Sequence, residues 1–144
     1  MNTNSSETLP LAVVGAHLSG FPLNPDLLSL GAVLQTTTKT SPNYKLYELS
    51  QTNPDIPSKP GLARCHPSNS QTGTGSSIEI EIWALPLSAV GAFLKTIPPP
   101  LGLGTIETCE GQWVKGFICE PYGTVGARDV SEFGGWRAYR ASRE

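Results

Sequence analysis

The sequence predicts an α+β protein, built as a mainly antiparallel sheet or barrel of short strands with one principal helix. Fifteen glycines and thirteen prolines divide the 144 residues into short segments, which favours strands over a helical bundle. Residues 78–83 alternate isoleucine with Glu79, Glu81 and Trp83, as a strand with two unlike faces does. Residues 85–95 have the apolar spacing of an amphipathic helix, which the prolines at 98–100 end.

The remaining elements follow from local composition. Strands are predicted at residues 11–16, 31–38, 44–49 and 59–65, a helix at 27–30, a hairpin of 103–109 with 113–120 around a Glu-Gly turn, and a final strand at 134–139. Residues 66–77 are small and polar and include His66, which predicts an exposed hairpin tip. We expect a flexible tail at residues 1–9 and a single domain at residues 10–144.

Charge and hydropathy exclude several classes of partner. Hydrophobic residues make up 38% of the chain and charged residues 15%, and the ten lysines and arginines are scattered. The net charge of −2 and the lack of a basic patch argue against nucleic acid as a partner. No apolar run approaches the roughly 18 residues that cross a bilayer, so no membrane association is expected.

Cysteine usage points to a reducing compartment. Cys65, Cys109 and Cys119 are odd in number and have no C-x-x-C spacing, which predicts reduced thiols and a cytoplasmic location. No positive charge precedes the first apolar run, which argues against a signal peptide. The two histidines lack ligand spacing, so we expect no metal and no other cofactor.

The strongest candidate site is a glycine-rich loop with one histidine. The apolar run from residue 11 ends in this loop, where the backbone amides of Gly15, Ala16 and Leu18 are predicted to seat a carboxylate or oxyanion. His17 can transfer a proton near neutral pH, because the unperturbed pKa of a histidine side chain is about 6.5. The alternative is an ordinary turn whose histidine hydrogen-bonds its neighbours.

Positive side chains are the next candidates, because an anionic substrate requires a cation. Lys59 precedes a Pro-Gly turn at a strand entry and is predicted to bind substrate, with a plain surface lysine as the alternative. Arg64 is a weaker candidate of the same kind. Arg137 is expected to fasten the terminal strand to the sheet.

Acidic, phenolic and amide side chains complete the candidates. If the face that Glu81 shares with Glu79 lines a cavity, Glu81 could orient His17; if it faces water, both are solvated. Tyr47 could donate a hydrogen bond to substrate or pack in a strand. Asn24 could bind substrate, but capping the helix that follows is favoured.

Seven ordered segments resemble the C-terminal domain of allophanate hydrolase. They are LAVVGAHLSGFPLN at 11–24, YKLY at 44–47, KPGL at 59–62, IEIEIWALP at 78–86, IPPPLGLGT at 97–105, KGFICE at 115–120 and FGGWRAY at 133–139. The resemblance covers roughly residues 10–140. It implies a γ-glutamylcyclotransferase-like fold, a small mixed barrel with a cavity at one end, in which His17 takes the place of the family's catalytic histidine.

The resemblance implies a cofactor-free lyase that removes carbon dioxide from a small N-carboxylated or dicarboxylic substrate. In this interpretation His17 is the acid/base catalyst. The substrate is held by Gly15, Ala16, Leu18 and Lys59, with Tyr47 and Glu81 as further contributors.

Two departures from the family pattern leave alternatives open. The amidase half is absent from these 144 residues, so the chain is either an excised domain or a stand-alone relative supplied by a separate amidase. Residues 87–100 contain no acid, which disfavours the activity of the cyclotransferases proper. The alternatives are a cyclase or isomerase of secondary metabolism and a non-catalytic module that binds an amidase. A homodimer stays open as an oligomeric state.

Overall fold

Two β-sheets and four short helices form the fold in the computed structural model, which describes residues 7–51, 55, 57–65 and 75–143. The strands are β1 (Thr8–Val13), β2 (Val33–Lys39), β3 (Tyr44–Glu48), β4 (Pro60–Arg64), β5 (Glu79–Pro86), β6 (Leu101–Glu107), β7 (Trp113–Cys119) and β8 (Arg128–Asp129). The helices are α1 (Asn24–Ser29), α2 (Val90–Leu94), α3 (Pro121–Thr124) and α4 (Trp136–Ser142), with 3₁₀ turns at Leu87–Ala89 and Ser131–Phe133.

Strand β1 lies at the centre of the larger sheet, whose order is β2-β5-β1-β7-β6. It pairs antiparallel with β5 and parallel with β7, so the sheet is mixed. Leu11, Ala12 and Val13 are fully buried, as expected for a strand with neighbours on both sides and packing on both faces. The loop that follows β1 therefore starts from the interior of the fold.

The smaller sheet, β4-β3-β8, packs against β7 of the larger one. The two sheets approach each other closely at Gly61, where an added Cβ would lie 2.9 Å from Cβ of Cys119. Tyr44 ties the sheets together from the other side, because its buried hydroxyl accepts a hydrogen bond of 2.8 Å from the backbone amide of Glu107. This packing brings the start of β4, and Lys59 just before it, to the end of β1.

Both faces of β5 are buried, which the alternating pattern did not predict. Ile80 and Ile82 enter the core as expected, but Glu81 and Trp83 are only 4% exposed. The loop after β1 and helix α4 cover this second face, since Ser19 and Arg137 both contact Glu81. The face that could have met water is closed by elements distant in sequence.

The predicted final strand at 134–139 is wrong, because most of this segment belongs to helix α4. Trp136 and Tyr139, three residues apart, are both buried, a spacing that suits one face of a helix and not alternate residues of a strand. Gly134 precedes the helix with φ of +79°, a conformation that glycine adopts without strain.

The predicted helix at 85–95 is shorter than expected. Residues 85 and 86 still belong to β5, a 3₁₀ turn follows, and only Val90–Leu94 is α-helical. Of the predicted apolar stripe only Phe93 is fully buried, whereas Leu87 and Leu94 are about half exposed. No described helix is longer than the seven residues of α4.

Other boundaries agree more closely. The predicted hairpin is confirmed as β6 and β7, with a turn at Gly111, and the strands at 44–49 and 59–65 are confirmed within one residue at each end. Strand β1 begins at Thr8 and ends at Val13, so it starts inside the expected tail and stops short of residue 16. Most of the predicted tip at 66–77, His66 included, lies outside the described residues.

The α+β class is confirmed, and the predicted closure into a barrel is not. The described strands form a mixed five-stranded sheet and an antiparallel three-stranded sheet, without a closed ring of pairing. Among the described helices, none is long and apolar enough to cross a membrane.

Gly116 tests the tight pairing between β1 and β7. A Cβ at this position would lie 2.8 Å from both Cβ and the carbonyl oxygen of Ala12, so we expect Gly116→Ala to lower the free energy of unfolding by about 1–3 kcal/mol in urea denaturation. Gly102→Ala in the neighbouring strand is the matched control, because nothing lies within 4 Å of its Cβ. Equal stability of the two variants would contradict this packing.

Candidate active site

The loop between β1 and α1 is a compact series of turns. The amide of Leu18 donates to the carbonyl of Gly15, and the amide of Leu23 donates to the carbonyl of Ala16, both at 2.9 Å. A Cβ on Gly15 would overlap the ring of Pro60, so only glycine lets the loop approach β4 this closely. The loop is thereby fixed beside Lys59.

The side chain of His17 is enclosed by aromatic rings. It stacks on Phe117 of β7 with centroids 4.9 Å apart, and it meets Phe93 of α2 edge-on at 5.2 Å. Only 8% of the residue is exposed. Asn24 fixes the backbone of this residue, because its side-chain amide donates a 2.9 Å hydrogen bond to the His17 carbonyl.

Burial controls the charge of this histidine. It lowers the pKa of His17 from 6.5 to about 4; nearby Asp26 raises the pKa slightly and Lys59 lowers it further. At neutral pH the imidazole is therefore uncharged. Its Nε2 atom is buried and makes no hydrogen bond within the described part of the chain.

A cavity of about 40 Å³ lies beside this imidazole. Its wall comes from the loop, the start of β4, the segment after α2, and β6 and β7: Val14, Gly15, Ala16, His17, Leu23, Lys59, Pro60, Leu62, Thr96, Ile97, Pro98, Leu101, Phe117 and Ile118. Lys59 is the charged member of this set, and none of the described lining residues is acidic. The site is thus a small, mostly apolar hollow with one cation and one neutral imidazole.

A buried carboxylate holds the far side of the loop. Oε1 of Glu81 accepts hydrogen bonds from the backbone amide of Ser19 at 2.8 Å, the Ser19 hydroxyl at 3.1 Å and Nε1 of Trp83 at 3.0 Å. Its Oε2 pairs with Arg137 at 3.2 Å, and Arg137 also donates to the Ser19 carbonyl at 3.0 Å. Ser19 is therefore fixed at its amide, carbonyl and hydroxyl; we call this arrangement the Glu81 clamp.

Four of the predicted site residues come together at the cavity. His17, Gly15, Ala16 and Lys59 all line it, as the sequence predicts. Within the described chain, no loop or turn hydrogen bond is donated by the backbone amides of residues 15, 16 and 17. The structure contradicts the predicted amide donor at Leu18, because that amide is used inside the turn.

Two further candidates lie away from the cavity. Glu81 does not contact His17 and acts on the loop through Ser19. Tyr47 pairs with Gly61 and Asp129 in the small sheet and is absent from the cavity wall. Arg64 also lies elsewhere, pairing with Glu107 at 3.4 Å on the surface.

The sequence did not identify the parts of the cavity wall that come from distant segments, and it predicted the wrong role for two residues. Phe117, Thr96 and Ile97 line the cavity. Ile97 and Phe117 lie in two of the segments that resemble the family, but their residue types do not predict a cavity wall. Asn24 makes no capping bond, because it is used on the His17 carbonyl. Arg137 fastens a helix to the loop, whereas a strand was expected.

The fold identifies the broad class of protein to which the chain belongs. A solved structure of a gamma-glutamyl cyclotransferase matches 85% of this chain over 70% of its own length, with a TM-score of 0.57. At 10% identity this likeness shows the fold alone. The chain therefore has a γ-glutamylcyclotransferase-like fold.

The family is shown by closer matches. The sequence model of the family "Allophanate hydrolase C-terminal domain" matches residues 9–141, and the chain belongs to that family. It is 44% identical over 136 residues to the urea amidolyase of Saccharomyces cerevisiae, covering 93% of this chain and 7% of the relative. It also matches allophanate hydrolase of Kluyveromyces lactis at 40% identity and a TM-score of 0.88, covering 100% of this chain and 23% of that one. The chain thus spans a small part of the proteins it resembles.

These relatives correct the predicted reaction. The expectation of a lyase that acts as a decarboxylase is wrong, because the relatives are allophanate hydrolase and urea amidolyase, in which this domain belongs to a hydrolase of the amidase type. The alternatives of a cyclase or isomerase also fall outside that class. The kinship with allophanate hydrolase and urea amidolyase is confirmed.

The pKa of His17 makes stability depend on pH. Because the folded pKa is about 4 and the unfolded value 6.5, the unfolded state binds more protons between these values. The free energy of unfolding should therefore fall by about 2–3 kcal/mol between about pH 7.5 and about pH 4.5 through this group alone. The free energies of unfolding of the wild type and of His17→Gln are measured by urea denaturation at both pH values. The contribution of His17 is the loss of stability between the two pH values in the wild type minus the loss in the variant. Equal losses in the two proteins would show that His17 titrates normally.

The Glu81 clamp predicts a large loss of stability on truncation. Glu81→Ala leaves the Trp83 indole and the Ser19 amide without their acceptor, and each unsatisfied buried donor costs about 1–3 kcal/mol. We expect a loss of at least about 2 kcal/mol in urea unfolding. The control is Glu79→Ala, two residues earlier on the same strand and outside the clamp, which should lose less stability. An equal loss of stability in both variants would show that the Glu81 clamp does not stabilise the fold specifically.

Proposed function

We propose that this chain is the C-terminal domain of an allophanate-degrading hydrolase and that its cavity binds a small carboxylate beside His17. Its kinship with allophanate hydrolase and urea amidolyase supports the reaction class. The carboxylate is the group that allophanate presents to a binding site. The chemistry of the cavity wall supports the rest of the proposal.

The observation that carries the proposal is the unpartnered nitrogen of His17. A buried polar atom without a hydrogen bond costs free energy, so natural proteins usually satisfy it. The Nε2 atom has no such partner within the described residues, and its ring lines a cavity. Because Nε2 itself is closed to solvent, a bound ligand with an oxygen or an N–H group would supply the missing hydrogen bond once the imidazole turns this atom towards the cavity.

The electrostatics of the cavity favour an anion. Lys59 is the charged residue of the described wall, and the backbone amides at 15, 16 and 17 add partial positive charge at the loop. The uncharged imidazole repels neither an anion nor a neutral amide. With apolar residues around these groups, the attraction between Lys59 and a carboxylate is screened less than in water.

The size of the cavity limits the ligand. One water molecule needs about 10–15 Å³ of such space, so a cavity of about 40 Å³ accommodates a group of a few atoms, such as a carboxylate with its neighbouring carbon or nitrogen. This supports a compact end group over a bulky one.

His17 is proposed as the proton carrier of the site. With a pKa of about 4 it is a weak base in the free protein and holds no proton to give as a cation at neutral pH. A bound anion within a few ångströms favours the charged form of an imidazole and raises its pKa. Ligand binding would therefore bring His17 closer to the range in which it exchanges a proton with the ligand.

We further propose that the ligand comes from an amidase, either on the same longer chain or as a separate partner. The relatives support this, since the chain spans 7% of the Saccharomyces cerevisiae urea amidolyase. A cytoplasmic setting is proposed on the three free cysteines, which stay reduced there.

Binding of malonate, a stable dicarboxylate, tests the proposal by isothermal titration calorimetry on this chain. We expect saturable binding at one site, competition by allophanate, and a loss of about 10-fold or more in Lys59→Met, as for removal of a charge-assisted hydrogen bond. His17→Ala should weaken binding in the same way.

The matched control is Lys39→Met on the exposed strand β2, away from the cavity. It should bind malonate like the wild type. Equal weakening in Lys59→Met and Lys39→Met would show non-specific attraction to positive charge, and the proposed site would then be wrong.

A further inference from the structure

A wide groove lies next to the His17 cavity and shares part of its wall. Its volume is about 590 Å³, against about 40 Å³ for the cavity. Ala16, Leu23 and Lys59 line both spaces. A ligand whose end group binds beside His17 would therefore meet this groove with the rest of its structure.

The groove carries a second positive charge. Arg140 of α4 lines it together with Lys59, and none of its described lining residues is acidic. The nearby carboxylate of Glu48 accepts hydrogen bonds of 2.7 Å from Ser58 and from the hydroxyl of Tyr139, and its negative charge is offset by the positive charges of Arg143 and Arg128. The groove thus attracts negative charge at a point beyond the one beside His17.

Apolar and aromatic side chains form the surface between the charges. Phe21 and Trp136 line the groove, and Trp136 is almost completely buried beneath it. The guanidinium of Arg140 lies 5.9 Å from the centre of the Trp136 ring, and that of Arg137 lies 5.0 Å from the Phe21 ring. These contacts favour a defined position for both the aromatic wall and the charge of Arg140.

We infer that the groove is an extension of the binding site, which takes a second anionic group attached through an apolar or planar spacer. Allophanate has one carboxylate, so the ligand class of the extended site is a different compound with two anionic ends: one compact end beside His17 and Lys59, the other at Arg140. This inference rests on the proposed function for the first end and goes beyond it for the second. Unlike the cavity, the groove is large enough for a ligand of many atoms.

A series of α,ω-dicarboxylates of increasing length tests the inference by calorimetry. Malonate, glutarate, adipate and suberate are titrated into the wild type, Arg140→Met and Arg143→Met. In the wild type we expect at least one of the longer acids to bind about 10-fold more tightly than malonate, as a second charge-assisted contact provides. Arg140→Met should remove this gain. Arg143→Met, which changes a nearby exposed arginine outside the groove wall, should keep it.

The outcomes separate the two proposals. If malonate binds and no longer acid binds more tightly, or if Arg140→Met weakens malonate as much as the longer acids, the groove is not an extension of the site and the proposed function stands. If malonate fails to bind while a longer acid binds through Arg140, the groove binds anions by itself, and both the carboxylate site beside His17 and its extension are wrong. Failure of every acid to bind overturns both.

Discussion

The buried carboxylate of Glu81 needs hydrogen-bond donors, and three separate parts of the fold supply them. A charge removed from water is costly unless it is paired and hydrogen-bonded. Here the donors come from the loop at Ser19, from the same strand at Trp83 and from helix α4 at Arg137. Strand, loop and helix therefore become ordered together, and the backbone that carries His17 is fixed as a result.

On the other side of the loop the surroundings are apolar. Phe93 and Phe117 enclose the imidazole and remove it from water, which keeps it uncharged at neutral pH. The polar contacts thus hold the backbone, while the aromatic rings set the chemistry of the side chain. A histidine of unaltered pKa would be partly charged at neutral pH and would bind and exchange protons differently.

The sequence predicted those elements whose structure depends on neighbouring residues. The glycine loop, the hairpin at Gly111 and the strand at 44–49 follow from turn residues and alternation. Lys59 was chosen because an anion needs a cation, and it lines the cavity together with His17. The covering of β5 at Glu81 could not be predicted, because it depends on a helix more than fifty residues later. Helix α4 itself was missed although Trp136 and Tyr139 have helical spacing, since two glycines and an aromatic pair also suit a short strand.

The bond between Ser19 and Arg137 joins residues 118 positions apart in the chain. Removing the final helix would therefore break this bond, take the buried rings of Trp136 and Tyr139 out of the interior, and leave the Glu81 carboxylate without its cationic partner. A helix of seven residues near one end of the polypeptide thus controls the conformation of a loop near the other end.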